Sequence, residues 1–212
     1  MRKDIEIAGD KTVKDWLDLK SKIEKDFDNI KLWEQAFAFF EIRIGTRYIA
    51  PAEVIQNHHS SQAAGEGFAI TAIICTLIEA FESFLQGKNY KYLKKGEKLK
   101  KYEYNRSSDI FVDFLTKREP FKQHFHKRRL AQEFYQNVRC SLLHEACTKN
   151  GWIIRIDTDK LLEKNGQTYT LNRALLLHLI KEYIPTYKKL LIADNNLKKA
   201  FVRKMDYVCE IA

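Results

Sequence analysis

An arginine and a histidine lie close together in the stretch FYQNVRCSLLHEACTKNGW, residues 134–152. Arg139 and His144 are of the types that hold anions and exchange protons near neutral pH. Their setting is apolar: Phe134, Val138 and Leu142 fall four apart, as on one buried helical face, and the small Cys140 and Ser141 sit between the two polar residues. A buried arginine is costly unless it is paired, so this face meets either solvent or a partner. With about 100° per residue and Arg139 set at 0°, Leu143 falls at about 40°, Cys147 at about 80°, Cys140 at about 100° and His144 at about 140°. Arginine and histidine therefore flank one arc of small or apolar groups, and both can reach over it towards a common point outside the helix. A groove, or a second copy of the same helix, would receive them. The structural alternative is that Arg139 pairs with Glu79 or Glu82 on another helix while His144 caps contacts in the core.

An arginine followed by four to six residues and a histidine, late in a helical bundle, resembles the motif of the HEPN superfamily, which includes many metal-independent ribonucleases and toxins. Here it reads Arg139-Cys-Ser-Leu-Leu-His144, and the wider phrase FYQNVRCSLLHEA…GW is similar to uncharacterised bacterial proteins placed with that group. The resemblance covers six residues, about twenty with the flanks. It implies an all-α, HEPN-like bundle that dimerises through its motif helices, so that two Arg–His pairs line one cleft. Such a cleft cuts RNA with the substrate's own 2′-hydroxyl as nucleophile and needs no cofactor or metal. In this chain His144 would then be the general base or acid. Arg139 would hold the scissile phosphate and offset charge growing on its oxygens. Active members usually carry a polar residue directly after the arginine, where this chain has Cys140; either Ser141 substitutes, or the activity is weak or absent. A non-catalytic HEPN-like module, binding RNA, a nucleotide or a protein, is the alternative.

Other chemistry-bearing residues are fewer. The segment 88–106 interleaves Lys88, Lys91, Lys94, Lys95, Lys98, Lys100, Lys101 and Arg106 with Tyr90, Tyr92, Tyr102 and Tyr104. Lysines contact phosphates and tyrosine faces stack on unpaired bases. The same charges would suit an acidic, antitoxin-like protein, and the plain alternative is a solvated loop. His58-His59 and His124-x-His126 have neither cysteines nearby nor a helical His-Glu-x-x-His pattern, so loop histidines explain them better than a metal. Neither a glycine-rich phosphate loop nor a Ser/His/Asp spacing is visible.

These residues need helices to hold them. Apolar residues recur every three or four positions from Trp16 to Phe40, which predicts one long helix over 12–43. Residues 45–60 read as a connection broken by Pro51. A helix apolar nearly all round is expected from Ser60 or Ser61 to about Leu85, central to a bundle and stopped by Gly87. The basic segment, about 87–108, reads as a long loop, followed by a short helix over 109–117. The motif helix is expected from Arg129 to Thr148, ended by Asn150-Gly151. WIIRI and TYTL, with KNGQ at 164–167, predict a small β hairpin over about 152–171. Asn172 can cap the last helical region, Pro185 should interrupt it near 184, and Asp194 or Asn195 should start the final piece, with Phe201, Met205, Val208 and Ile211 inward.

Composition frames this reading. The 212 residues suit one domain better than two, and 3 prolines and 8 glycines favour long helices over a turn-dense β fold. The 4 cysteines form no CxxC pair, which points to a reducing, cytoplasmic setting. The N-terminus has no apolar signal core, and FAITAIICTLI stops at Glu79 after 11 residues, so no membrane segment is expected. Residues 87–129 hold 14 Lys/Arg against 5 Asp/Glu, which accounts for the net +9 and leaves the rest of the chain balanced. A local positive block speaks for an anionic partner.

Overall fold

Thr12 opens the first helix as its sequence invites. Its hydroxyl accepts the Asp15 N–H while the Asp15 carboxylate accepts the Thr12 N–H at 2.8 Å, a reciprocal cap on α1 (Val13–Lys25). The computed structural model in which this is seen describes residues 3–57 and 65–210. The described chain is mostly helical, with seven short strands in three small sheets. It divides into two compact units, each gathered from separate stretches: Met1–Arg47, Ser83–Asn105 and Ile184–Ala212 in one, Tyr48–Glu82 and Arg106–Tyr183 in the other.

In the first unit a hairpin of β1 (Glu6–Ala8) and β2 (Lys11–Thr12) precedes α1. The single helix expected over 12–43 is two. Asn29 caps α2 (Ile30–Ile44) by accepting the Lys31 N–H at 3.1 Å. Apolar spacing hides the break because Phe27 continues the stripe through it. Its ring meets Trp33 at 5.2 Å, and its carbonyl accepts the Trp33 indole N–H at 2.6 Å. The core is aromatic: Phe40 packs edge-on against Phe84 at 4.8 Å and Tyr187 at 5.4 Å, and Trp16 meets Phe201 at 6.3 Å. The basic segment is a long loop pinned at its base by two parallel two-residue strands, β3 (Asn89–Tyr90) and β4 (Glu103–Tyr104). It is also tied to the last helix, where Arg203 lies 3.9 Å from the Tyr102 ring and Lys204 donates to the Lys88 carbonyl at 3.1 Å.

Beyond α2 the chain does not become a loop. It continues through a π-helical turn (Gly45–Ile49) into α3 (Ala50–Asn57). Pro51 comes directly after the widened turn, where the regular i to i−4 bonding is already broken, so its missing N–H costs less. Residues 58–64, with His58-His59 and the expected helix start at Ser60 or Ser61, lie outside the described residues. The apolar helix, α4 (Glu66–Gln86), stops at Gly87 as expected, with φ at +59°. By length and composition alone α4 could cross a membrane, contrary to the reading from its 11-residue run; most of it is buried inside the protein, as a core helix is. Its start through Glu82 belongs to the second unit.

That unit also holds α5 (Ser107–Lys117) and the short α6 (Phe121–His124). Phe81 stacks on Phe114 at 5.9 Å, and Phe111 and Phe125 flank Phe134 at 5.7 and 5.4 Å. The motif helix is α7 (Arg128–Phe134), a π-helical turn (Tyr135–Cys140) and α8 (Ser141–Glu145). It ends at Ala146, left-handed at φ +52°, short of the expected Thr148. The KNGQ turn is present: Gly166-Gln167 joins β6 (Leu162–Asn165) to β7 (Thr168–Asn172). The hairpin's strands differ from those expected, for β5 (Trp152–Arg155) lies parallel to β7. The strand between them, LEKN, is polar and largely exposed, so it lacks the apolar signature of a strand. Asn172 caps α9 (Arg173–Ala193) through the Ala174 and Leu175 N–H groups at 2.9 and 3.0 Å. Pro185 does not interrupt α9; it and Lys181, whose carbonyl loses its intrahelical donor, are both exposed, where water can serve instead. Asp194 caps α10 (Asn195–Val208), which buries Phe201 and Met205 and leaves Val208 half-buried; Ile211 lies outside the described residues.

Candidate functional site

The motif helix is widened where its chemistry begins. A π-helical turn frees backbone carbonyls from their usual partners, and such turns recur at functional sites. Ser141, almost fully buried, donates its hydroxyl to the Gln136 carbonyl at 3.1 Å and so serves this turn. Tyr135 and Arg139, four apart, face each other, with the guanidinium 5.3 Å from the ring centroid. Arg139 Nη2 donates to Glu79 Oε2 of α4 at 3.3 Å, and the two side chains keep only 20% and 17% of their exposure. Of the two carboxylates the sequence offered, Glu79 is therefore the partner. Glu82 instead accepts from Arg118, at 2.8 and 2.7 Å.

Electrostatics around Arg139 are consistent with a fixed cation. Burial pulls against its charge, but Tyr135, Glu79 and Cys140 outweigh that and raise its pKa above the usual value. Burial pushes the Tyr135 phenol up to about 12 against the opposing pull of Arg139, so it stays protonated at neutral pH. The Cys140 thiol lies beside both and raises each of these pKa values further. Beneath them burial pushes the Cys75 thiol up to about 12, which leaves it a small neutral hydrophobe.

His144 is placed differently. It lies exposed on α8 and makes no hydrogen bond or ion pair among the described residues. It does not cap the core, and no hydrogen bond joins it to Arg139. Beside the motif an apolar groove of about 410 Å³ is lined by Phe68, Ala69 and Ala72 of α4 with Leu142 and Ala146. Leu143, at 49% exposure, adds to the uncovered apolar surface.

Of the expected nucleic-acid contacts, Lys94, Lys95, Lys98, Lys100, Lys101 and Arg106 are all exposed. The five lysines belong to the first unit, whereas Arg106 and the motif belong to the second. His124 is half-buried, which lowers its pKa, and lines a groove with Asp159 and Leu175. Among the described residues no group of three His, Cys, Asp or Glu is placed to hold a metal ion.

A larger cleft carries no signal in the linear sequence. Its lining comes from three separated stretches, around 127–137, 150–152 and 164–169, which only the strand pairing brings together. No protein-family model, curated protein or solved structure matches the chain.

Proposed function

We propose that the chain is a HEPN-like, homodimeric, cytoplasmic protein that cleaves RNA without a metal ion, using the substrate's 2′-hydroxyl as nucleophile. The support is the way Arg139 is held. One of its nitrogens rests on Glu79 and its plane lies near Tyr135, so its remaining donors are pre-oriented for a phosphate. His144, exposed on the same helical stretch, is open to a substrate hydroxyl and acts as general base or acid. A second copy laid on the apolar groove beside the motif would cover Phe68 and Leu142 and bring the two Arg–His sets to one crevice. The lysine loop supplies non-specific attraction to the RNA backbone.

Purified protein incubated with mixed RNAs in EDTA gives fragments ending in 2′,3′-cyclic phosphate. The His144→Ala variant lowers that rate by about 10²–10⁴-fold, the usual worth of a general acid–base group. Cleavage that persists in His144→Ala assigns the activity to something else. A non-catalytic module, binding RNA or an acidic protein partner, is the second reading, and one observation favours it. Cys140 puts a thiol, a poor hydrogen-bond partner, where active members carry a polar residue, and the Ser141 hydroxyl is taken up by the Gln136 carbonyl, so neither offers a good polar group to a substrate. RNA retention without turnover, unchanged by Arg139→Ala, selects that reading.

A further inference from the structure

A cleft of about 770 Å³ opens within the second unit, between α7 with its π-helical turn and the small sheet, and neither Arg139 nor His144 lines it. Its rim is built rather than incidental. Asn150 Nδ2 donates to Asn137 Oδ1 at 2.8 Å, and the Lys149 N–H donates to the Asn137 carbonyl at 2.9 Å. Asn150 takes a left-handed φ of +50° and Gly151 one of +76°. A Cβ on Gly151 would lie 2.6 Å from the Gln167 carbonyl oxygen, so glycine is what lets this loop close against the 166–167 turn.

The chemistry of the lining is specific. The Asn137–Asn150 bond uses one donor and one acceptor, which leaves Asn150 Oδ1 and the Asn137 amide hydrogens as a neighbouring acceptor and donor. Trp152 and Tyr169 stack at 4.8 Å and 18° in the wall, and the Lys164 ammonium lies 5.1 Å from the Tyr169 ring. Glu133 pairs with Arg129 at 2.9 Å, so Lys127 and Lys164 remain as exposed positive charges. An inorganic anion would use the lysines and the Asn137 amide hydrogens but leave the Asn150 oxygen without a donor. A neutral sugar would satisfy the amides but leave the lysine charges unmatched. A planar heterocycle with donor and acceptor edges, carrying a phosphate, engages both.

We propose that this cleft binds a nucleotide unit, its base edge read by Asn137 and Asn150 beside Tyr169 and its phosphate held by Lys127 and Lys164. The unit is either a free nucleotide or one residue of a single strand. The site does not depend on cleavage at Arg139 and His144.

The test uses the full chain carrying His144→Ala, so that no turnover intervenes, and follows Trp152 fluorescence and calorimetry. The probes are the four nucleoside monophosphates, short single-stranded oligonucleotides and inorganic phosphate. Saturable binding is expected, weakened about tenfold or more by Lys164→Glu on the exposed β6 strand, a change read directly as a ratio of dissociation constants. Asn137→Ala is expected to erase differences among the four bases. Equal affinity for monophosphate and oligonucleotide identifies a free-nucleotide site, and binding of oligonucleotide alone identifies a strand site. The proposal is overturned by no saturable binding of any nucleotide probe, by affinity unchanged in Lys164→Glu, or by phosphate binding as tightly as the nucleotides. Intact RNA cleavage by the wild type alongside any of these results leaves the ribonuclease reading standing and removes only this one.

Discussion

Glu79 and Glu82 lie three residues apart on α4, and the fold uses them in different ways. Glu82 is fully buried and takes both prongs of Arg118, a paired fork that satisfies its carboxylate in a dry setting. Glu79 keeps some exposure and accepts a single, longer bond from Arg139. Glu82→Ala removes two charge-assisted bonds but leaves Arg118 with 30% of its exposure, so water can replace the lost partner, whereas a single bond in a partly exposed pair contributes about 1 kcal/mol or less. Glu82→Ala is therefore expected to lower stability by about 2–3 kcal/mol, and Glu79→Gln by about 1 kcal/mol while loosening Arg139. Urea unfolding of both variants checks the order. Equal losses would mean that Glu79 is structural to the same degree, which removes the case for Arg139 as a guanidinium oriented for a ligand. Sequence could propose both carboxylates for Arg139 but could not choose, because Arg118 enters from just past the end of α5, 36 residues away.

At the scale of elements, what was legible were the signals that act locally. Asn172, Asp194 and Gly87 do their capping work through their own neighbouring backbone, and Gly166 makes its turn alone. What stayed hidden left no separate mark on the apolar pattern: the break before α2 lies inside the stripe that Phe27 continues, Pro51 follows a π-helical turn, and the parallel seating of β5 on β7 depends on distant partners. Asn29 did carry a signal, a capping residue directly before Ile30, but an unbroken aromatic stripe masked it. The packing of α5 on α7 shows such a distant partnership in charge. Asp113 of α5 accepts from Lys117 at 2.7 Å and from Arg128, at the start of α7, at 2.9 Å. Burial alone would raise its pKa, yet the two cations outweigh burial and hold it below the ordinary 3.8. A carboxylate with a depressed folded pKa stabilises the fold above its unfolded value and loses that contribution as pH falls through the folded one. Wild type is thus expected to exceed Asp113→Asn by up to about 1 kcal/mol at pH 7, discounted for the exposure of both cations. The gap should close below pH 3.8, the ordinary value. Denaturant titrations from neutral to strongly acidic pH measure it, and a gap that never narrows would assign the effect to packing instead of charge.

Over the whole molecule the charge is concentrated: 87–129 carries 14 basic and 5 acidic residues, and the remainder is balanced. Much of the basic excess sits in the loop between β3 and β4, whose Lys94, Lys95, Lys98, Lys100 and Lys101 are exposed and whose Tyr92 is 75% exposed. Arg203, Lys204 and the strand pair fix the ends of that loop, so its lysines are displayed from an anchored base rather than from a free tail. If these charges meet RNA, each lysine on a phosphate releases counterions, and the logarithm of affinity falls with the logarithm of salt by about 0.7 per contact on a single strand. Replacing the five lysines by alanine should flatten that slope by about 2–3.5, while Tyr92→Ala should weaken binding by about 1–3 kcal/mol per stacked base with the slope unchanged. Filter binding across a salt series separates the two effects. A slope that stays steep without the five lysines would move the electrostatic contact to the second unit, where Lys127 and Lys164 line the amide-rich cleft.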